Sequence, residues 1–255
     1  MSRSKKTSRR IKEKIISSII GMIIIIVLSL LGYNLNITNQ NNETIGINTQ
    51  NNNNTNINES QKETQTNVDI VSKNNLKVYF IDVGQADSIL ITQKNQSMLI
   101  DAGNNEDGPD VVSFIKEKGI SKLDYVVGTH PHEDHIGGLD DVINSDIQIE
   151  NILMPKIQTN TKTFEDVLDA ISNKELKVTA PNKGEMFDLG EANFEIMTDS
   201  ILDEKNLNLS SITIRITFGN NSFLFMGDSE IKNEKTREWP KSDVLKVGHH
   251  RVKYK

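Results

Sequence analysis

The five histidines of the chain are concentrated in two short segments. Three lie within residues 129–135 (THPHEDH), and the other two are the adjacent His249 and His250. Histidines that served only as core or surface residues would be scattered along the chain. Neutral imidazole and carboxylate groups are ligands that suit Zn, Mn or Fe. The clustering therefore predicts a metal site and makes a merely polar or pH-sensitive loop the weaker interpretation.

The spacing within residues 129–135 indicates two neighbouring ions rather than one. The segment follows the apolar run DYVVG, so its ligands should lie at the end of a strand. His130 and His132 are two residues apart, and an extended turn can direct both side chains the same way. Asp134 and His135 would point to a second position as the chain turns into a helix. Four ligands this close together are too many for one open catalytic ion but fit two adjacent ions.

The elements that must position these ligands are predicted from residue 76 onward. Short runs rich in Ile, Val, Leu and Phe recur between turn signals and indicate many strands. The run SITIRITF alternates strictly, which predicts one buried and one solvated face. Helices are expected over DVVSFIKEK, capped near Pro109 and Asp110, and over TKTFEDVLDAISNK. The pattern predicts one α/β domain over residues 76–255.

The residues before this domain have a different chemistry. Residues 1–14 hold seven Lys or Arg and one acidic residue, and residues 15–31 carry no charge. With Gly32 and Tyr33 the apolar run is long enough to cross a bilayer, which predicts a transmembrane signal-anchor over residues 15–33. The basic cluster would keep the N-terminus in the cytoplasm and place the domain outside the cell. A cleaved signal peptide is the alternative, although no small-x-small cleavage site follows.

Asparagine dominates residues 34–75, and the segment has no sustained periodicity. Such a segment cannot bury enough apolar surface to offset the entropy of ordering it. We therefore expect a disordered tether between the membrane span and the domain. A polar tract prone to β-aggregation is the alternative interpretation.

Composition excludes several classes of protein. The absence of cysteine excludes disulfides, a thiolate zinc site and a Cys nucleophile. The net charge is −6 for the whole chain, and residues 76–255 hold 20 basic and 30 acidic side chains. This balance argues against a permanent nucleic-acid coat. One apolar span also cannot form a pore, so any transport role would need partner chains.

Five segments of the domain carry a further signal. In chain order they are KVYFIDVGQADSILI, SMLIDAG, THPHEDHIGGL, ITIRITFGNNSFLFMGDSE and DVLKVGHH. Together they resemble the metallo-β-lactamase superfamily, and more narrowly the extracellular hydrolase domain of ComEC-like competence proteins. The third matches the superfamily signature H-x-H-x-D-H. The resemblance implies an αββα sandwich with a dinuclear metal site at one edge, between two β-sheets.

The resemblance also implies a ligand set for two divalent ions, Zn or Mn. His130 and His132 would bind the first ion, and Asp134 and His135 the second. Asp228, in the segment FMGD after a strand, would bridge both ions. A carboxylate suits the bridging position because it has two oxygens.

The same resemblance assigns two catalytic roles. His250 would ligate the second ion, and His249 would contact the substrate phosphate or donate a proton, although the two histidines could be exchanged. Asp134 would hold the attacking hydroxide as well as its ion.

Further residues would surround the ligands. Asp101 would orient the metal loop, while Asp82, Gln85 and Asp87 would shape the floor of the site. For Asp101 and Asp82 a cap of a strand-end turn is an equal alternative. The superfamily usually supplies a third ligand of the first ion from a histidine, but no histidine lies between residues 136 and 248. The weak ligands Asn208 and Ser210 are the candidates in its place.

The chain stops five residues after His250, where the superfamily usually continues with Gly-Ser, a strand and a helix. We therefore expect a domain that is incomplete at its C-terminus, through truncation or a shifted frame. Such a loss would put the stability and activity of this chain in doubt.

The expected function is a membrane-anchored, outward-facing phosphodiesterase or nuclease of the ComEC-like type, acting in DNA uptake with single-stranded DNA as the leading substrate. A small phosphoester of the cell envelope is a second candidate substrate. A non-catalytic or degenerate metal-binding module is the alternative from another class. β-Lactam hydrolysis is disfavoured because the DVGQ pattern belongs to another branch of the superfamily. The sequence does not predict an oligomeric state.

Overall fold

The structure is a computed structural model that describes residues 74–198, 201–235 and 238–249. The predicted segments 1–14, 15–33 and 34–75 lie outside this part of the chain, apart from the last residues of the tether, and so do His250 and the residues after it. Among the described residues, no helix is long and apolar enough to cross a membrane.

The described residues form strands, helices and one 3₁₀ turn over Leu207–Ser210. The strands are β1 Lys77–Phe80, β2 Ser88–Gln93, β3 Gln96–Ala102, β4 Lys122–Val127, β5 Gln148–Leu153, β6 Val178–Thr179, β7 Met186–Leu189, β8 Ala192–Ile196, β9 Ile214–Phe218, β10 Asn221–Phe225 and β11 Val244–Lys246. The helices are α1 Gly108–Glu117, α2 Glu133–Ile136, α3 Leu139–Asn144, α4 Lys162–Asn173 and α5 Ile231–Glu234.

The strands form two sheets. The first has the order β1-β2-β3-β4-β5-β6, antiparallel from β1 to β3 and parallel from β3 to β6. The second has the order β11-β10-β9-β8-β7, and only its β10–β11 pair is parallel. The predicted mixed α/β sandwich with two sheets is confirmed.

Apolar side chains from both sheets fill the space between them. Ile89, Met98 and Val127 of the first sheet meet Phe194 and Ile216 of the second in one buried cluster. The strict alternation of β9 explains its contribution, because Ile214 and Ile216 point inward while Arg215 is only partly buried. This packing fixes the two sheets face to face.

Helices cover the other face of the first sheet. The buried side chains Val111 and Ile115 of α1 and Val167 and Ile171 of α4 lie in one cluster with Leu99 of β3. In α4 the apolar residues recur at helical spacing, and the Oγ1 atom of Thr161 accepts a hydrogen bond from the Phe164 amide at 3.4 Å. The helix predicted over TKTFEDVLDAISNK is thus present.

The outer face of the second sheet has a smaller apolar cover. Within the described ranges, Met197, Leu224 and Met226 form a small cluster there with Trp239. The outward residues of β8, Asn193 and Glu195, are only partly buried.

Candidate metal centre

One edge of the sandwich gathers the segments predicted to carry chemistry, as far as the structure describes them. Because β3 and β4 are parallel, the turns after Ala102 and Val127 emerge at the same edge. The loop between β1 and β2 also ends there, since β2 runs antiparallel to β3. From the second sheet, the 3₁₀ turn before β9, the turn after β10 and the end of β11 reach this edge.

Three histidines and one aspartate meet at this edge. The ligand atoms of His130, His135 and Asp228 all lie within 4.8 Å of one another, and all three residues are buried. The Nε2 atom of His130 is 3.0 Å from Nδ1 of His132, and the rings of His130 and His135 are 4.1 Å apart between centroids. Residues almost 100 positions apart thus form one compact donor set.

Asp101 holds residues 129–135, the histidine loop, in place. Its carboxylate accepts hydrogen bonds from the backbone N–H of Thr129 at 2.8 Å and from the Thr129 hydroxyl at 2.7 Å. The same carboxylate lies 2.8 Å from Nδ1 of His135, which leaves Nε2 directed at Asp228. Asp101 itself has a left-handed backbone with φ 57°. A hydrogen bond of this kind sets the tautomer and orientation of a metal-ligating histidine.

Asp228 is fixed by groups from three segments. Its Oδ1 atom is 3.2 Å from Nε2 of His135 and accepts a hydrogen bond from the backbone N–H of His249 at 3.1 Å. Its own backbone N–H donates to the Ser211 hydroxyl at 3.2 Å. The preceding Gly227 has φ 52°, and a Cβ atom there would meet the Thr129 Cβ at 3.1 Å. Glycine therefore allows the turn to approach the histidine loop.

Two of the histidines are held in the neutral form. Burial lowers the pKa of His130 well below 6.5, and the neighbouring His135 lowers it further. Burial also lowers the pKa of His132, although the nearby Asp134 opposes this. Neutral imidazole is the form that binds metal ions.

His135 behaves differently because it lies between two carboxylates. Burial alone would lower its pKa, but Asp101 and Asp228 outweigh burial and raise the pKa to about 10. Burial raises the pKa of Asp101, and His135 opposes that rise. In the protein without a metal ion, protonated His135 therefore supplies the positive charge between Asp101 and Asp228.

The two candidates for a third ligand of the first ion differ in their contacts. Asn208 is buried and donates from Nδ2 to Glu230 at 3.2 Å, and its side chain also interacts with His132 and opposes the fall of the His132 pKa. The Ser210 hydroxyl instead donates to the Leu207 carbonyl at 2.7 Å. Asn208 therefore offers an acceptor, whereas the Ser210 hydroxyl is used by its own turn.

The remaining predicted residues divide between the site and its surroundings. Asp87 lies in the site, with Oδ2 3.8 Å from Nδ1 of His135. Asp82 and Gln85 are exposed in the loop before it, and Asp82 accepts the Gly84 amide at 3.3 Å as a turn cap. Asp134 is half-buried, and its carbonyl accepts the Asp87 amide at 3.0 Å.

Four residues that the sequence did not single out contribute to the site. Thr129 bonds to Asp101, Ser211 to Asp228, and Glu230 to Asn208. Lys246 forms an ion pair with Asp87. None of the four left a signal in the sequence; for Lys246, the segment DVLKV gives neither face of β11 a consistent polarity.

This donor set fits a divalent cation. The imidazoles of His130 and His132, the Asp228 carboxylate and the Asn208 amide lie in one region, since His130 contacts both His132 and the Asp228 group and Asn208 interacts with His132. Nitrogen and oxygen ligands of this kind suit Zn and Mn, and the absence of cysteine is no obstacle.

The chain is similar to two curated proteins. It is 28% identical to ComE operon protein 3 of Bacillus subtilis over 68% of this chain and 25% of that protein. It is 26% identical to recombination protein 2 of Haemophilus influenzae over 71% of this chain and 22% of that protein. The chain thus spans about a quarter of the length of these relatives.

The solved structures similar to this chain include a metallo-β-lactamase with a HARLDQ motif from Cronobacter sakazakii. The two share 15% sequence identity and a TM-score of 0.44, over 60% of this chain and 61% of that chain.

The model of the metallo-β-lactamase superfamily matches residues 81–255. The match includes all the segments that meet at the edge with the candidate metal centre, from the loop before β2 to the end of β11. The chain belongs to the metallo-β-lactamase superfamily.

Proposed function

We propose that this metal-dependent hydrolase is a phosphodiesterase that acts on DNA with two divalent ions. The observation that carries the proposal is the convergence of His130, His135 and Asp228, whose ligand atoms lie within 4.8 Å of one another beside His132. Such a group can hold adjacent cations, and adjacent cations are a common device for cleaving phosphodiesters.

In this proposal the ligands divide between two ions. His130, His132 and the Asn208 amide oxygen would hold the first, and Asp134, His135 and His250 would hold the second. Asp228 would serve both. The ions would supply Lewis acidity toward a phosphoryl oxygen and an acidified water. Zn or Mn suits these ligands, and the weak amide ligand makes the first position the more labile one.

The chain's own residues orient this centre and handle the proton. Asp101 fixes the Nδ1 proton of His135 and so presents Nε2 to the site. The carbonyl of Asp134 accepts the Asp87 amide, which anchors this residue at the site and supports the proposal that its carboxylate would hold a water acidified by the ions. The backbone N–H of His249, which follows β11, donates to Oδ1 of Asp228. This contact keeps His249 at the site and supports the proposal that it contacts the substrate phosphate.

The charge distribution supports a phosphate attracted by the ions rather than by a basic groove. A lysine-rich pocket of about 360 Å³ includes Lys77 and Lys122, which begin β1 and β4. The histidine loop follows the opposite end of β4, so this pocket lies at the far edge. The names of the two curated relatives refer to the ComE operon and to recombination, which favours DNA as the substrate.

We further propose that the full chain is a single-pass protein of the cell membrane, anchored by residues 15–33 with the domain outside. The proposal rests on the basic and apolar N-terminal sequence. Protease added to intact cells should remove the domain. Protection of the domain in intact cells, with cleavage only after lysis, would contradict this orientation.

Turnover by the full chain with added Mn tests the activity. Bis-p-nitrophenyl phosphate and a single-stranded oligonucleotide should both be cleaved, while His132→Ala should lose turnover. Glu133→Ala is the matched control, since Glu133 is adjacent but exposed, and it should retain turnover. Cleavage of a phosphomonoester alone would favour a small envelope substrate.

A metal-binding module without catalysis is a second candidate. It is favoured by the amide oxygen of Asn208 at a position where the superfamily usually has a histidine, and by the Ser210 hydroxyl bonded to Leu207. Metal binding by the full chain without cleavage of any of these phosphoesters would support it and reject the phosphodiesterase.

A further inference from the structure

Lys246 is the lysine of β11 that faces inward. Its register partner Phe225 belongs to the cluster between the sheets, so Lys246 lies on the same face. The side chain is 13% exposed, and its partner Asp87 is 11% exposed. A charged pair removed from water to this degree is strongly constrained, because each charge needs the other.

The pair connects the two sheets at the metal edge, which is the edge of the sandwich where the three histidines and Asp228 meet. Asp87 ends the loop between β1 and β2 of the first sheet, whereas Lys246 ends β11 of the second. The Lys246 ammonium also donates to the carbonyl of Gly227 at 3.2 Å. Gly227 is the residue before Asp228, so the lysine reaches the turn that carries this aspartate.

Asp87 in turn contacts the other two segments of the site through its backbone. Its N–H donates to the carbonyl of Asp134 at 3.0 Å, and its carbonyl accepts the N–H of Gly103 at 2.9 Å. Gly103 follows Asp101 by two residues. A continuous series of contacts therefore connects the Asp228 turn, through Lys246 and Asp87, to Asp134 in helix α2.

The charges show what the pair prevents. Asp87, Asp101 and Asp228 all direct a carboxylate toward His135. The Asp87 carboxylate oxygen nearest to His135 is the one that Lys246 holds. Asp87 and Asp101 both approach Nδ1 of His135, whereas Asp228 faces Nε2. Without the ammonium, the charge of Asp87 would no longer be offset, and its carboxylate would compete with Asp101 for Nδ1 of His135 and so disturb the orientation of this ring.

We propose that Lys246 is a positioning residue of the metal centre. It holds Asp87 away from the contact between Asp101 and Nδ1 of His135, and it fixes the Asp228 turn against the histidine loop. The proposal rests on the metal centre of the proposed function, and it assigns to this lysine a role in metal affinity beyond its part in folding.

The chain offers a matched control for this pair. Lys94 and Glu191 also form a lysine–carboxylate pair between the two sheets, but at the opposite edge and with side chains 42% and 52% exposed. Lys94→Met therefore removes the same type of link without touching the metal edge. Lys246→Arg keeps the charge, and Asp87→Asn with Lys246→Met removes both charges so that no buried charge is left without a partner.

The first readout is Mn²⁺ affinity of the full chain, measured by calorimetry. Lys246→Met should weaken binding about tenfold or more, as loss of groups that orient ligands does, and Lys246→Arg should recover part of it. The double variant should unfold near the wild-type temperature yet still bind weakly. Wild-type affinity in the double variant, or tighter binding in Lys246→Met, would overturn the proposal.

The second readout needs no metal. Hydrogen exchange of the metal-free chain should be faster at the amides of Asp228 and Ser229 in Lys246→Met and in the double variant, and unchanged there in Lys94→Met. Unchanged exchange in the Lys246 variants would overturn the positioning role. If the wild-type chain binds no Mn²⁺, the proposed function fails, and this exchange measurement still decides the role of Lys246.

Discussion

Asp101 is the residue on which the histidine loop depends. Its left-handed backbone is unfavourable for a residue with a side chain. The conformation is retained because it lets one buried carboxylate accept from Thr129 twice and face His135. Strain of this kind persists at functional sites where the surroundings determine the geometry.

The amide of Asn208 leads to a prediction about the first ion. Asn208→Ala should lower Mn affinity, because it removes the buried Oδ1 acceptor. Ser210→Ala should leave the affinity within about twofold, because the Ser210 hydroxyl donates to the Leu207 carbonyl. Calorimetric titration of both full-chain variants makes the comparison. Equal effects of the two substitutions would argue that neither side chain reaches the ion.

The raised pKa of His135 predicts a pH dependence of the metal-free protein. The folded-state pKa of about 10 exceeds the unfolded value of 6.5. This group therefore contributes stability that is fully present below pH 6.5 and is lost as the pH rises through about 10. The free-energy difference between wild type and His135→Gln, measured by denaturant unfolding in a chelator, should shrink over that range. A difference independent of pH would contradict the ion pair with Asp101 and Asp228.

At the residue scale, the sequence predicts the ligands that lie close together along the chain. His130, His132 and His135 could be grouped by spacing alone. Among the groups that orient the site, Asp101 is assigned by the family resemblance. Thr129 and Ser211 are not, because they have no unusual type or spacing and meet their partners only through tertiary packing. For Asp82, the turn cap that the sequence left as an equal alternative is the contact that the structure shows.

At the element scale, long periodic segments are predictable and short ones are not. Helix α4 agrees closely with its prediction, but α1 begins at Gly108, so that Pro109 lies in its first turn rather than in a cap before it. The four-residue β7 and the six-residue α3 were not predicted. Each is too short for a periodic signal and is stabilised by neighbours that only the fold provides.

The short helices also yield a prediction. A Cβ atom at Gly137 would lie closer than van der Waals contact to the backbone of Asn104 and Asn105. Gly137→Ala should therefore destabilise the fold by about 1–3 kcal/mol, because α2 must shift away from the turn after β3. Ser113→Ala, at an exposed position of α1, should change stability by less than about 0.5 kcal/mol. Thermal unfolding of both variants checks this, and equal stability would contradict the close approach.

At the scale of the whole molecule, the average composition conceals regions of opposite charge. The net charge of −6 combines a strongly basic segment over residues 1–14 with a domain that holds ten more acidic than basic side chains. An acidic domain repels polyanions unless cations are bound at its edge. Removal of the ions should therefore abolish DNA binding as well as turnover, and a fluorescence anisotropy titration in chelator and in Mn would detect this. Equal DNA affinity in both conditions would contradict a phosphate held by the ions.

The number of metal ions bound per chain tests the central claim most directly. Elemental analysis of the full chain, dialysed against Mn or Zn, should give two ions for the wild type. Asp228→Ala should bind fewer than one, because the substitution removes the carboxylate that faces both histidine positions. A wild-type chain without bound ions, or an Asp228→Ala variant that keeps both ions, would contradict the dinuclear centre.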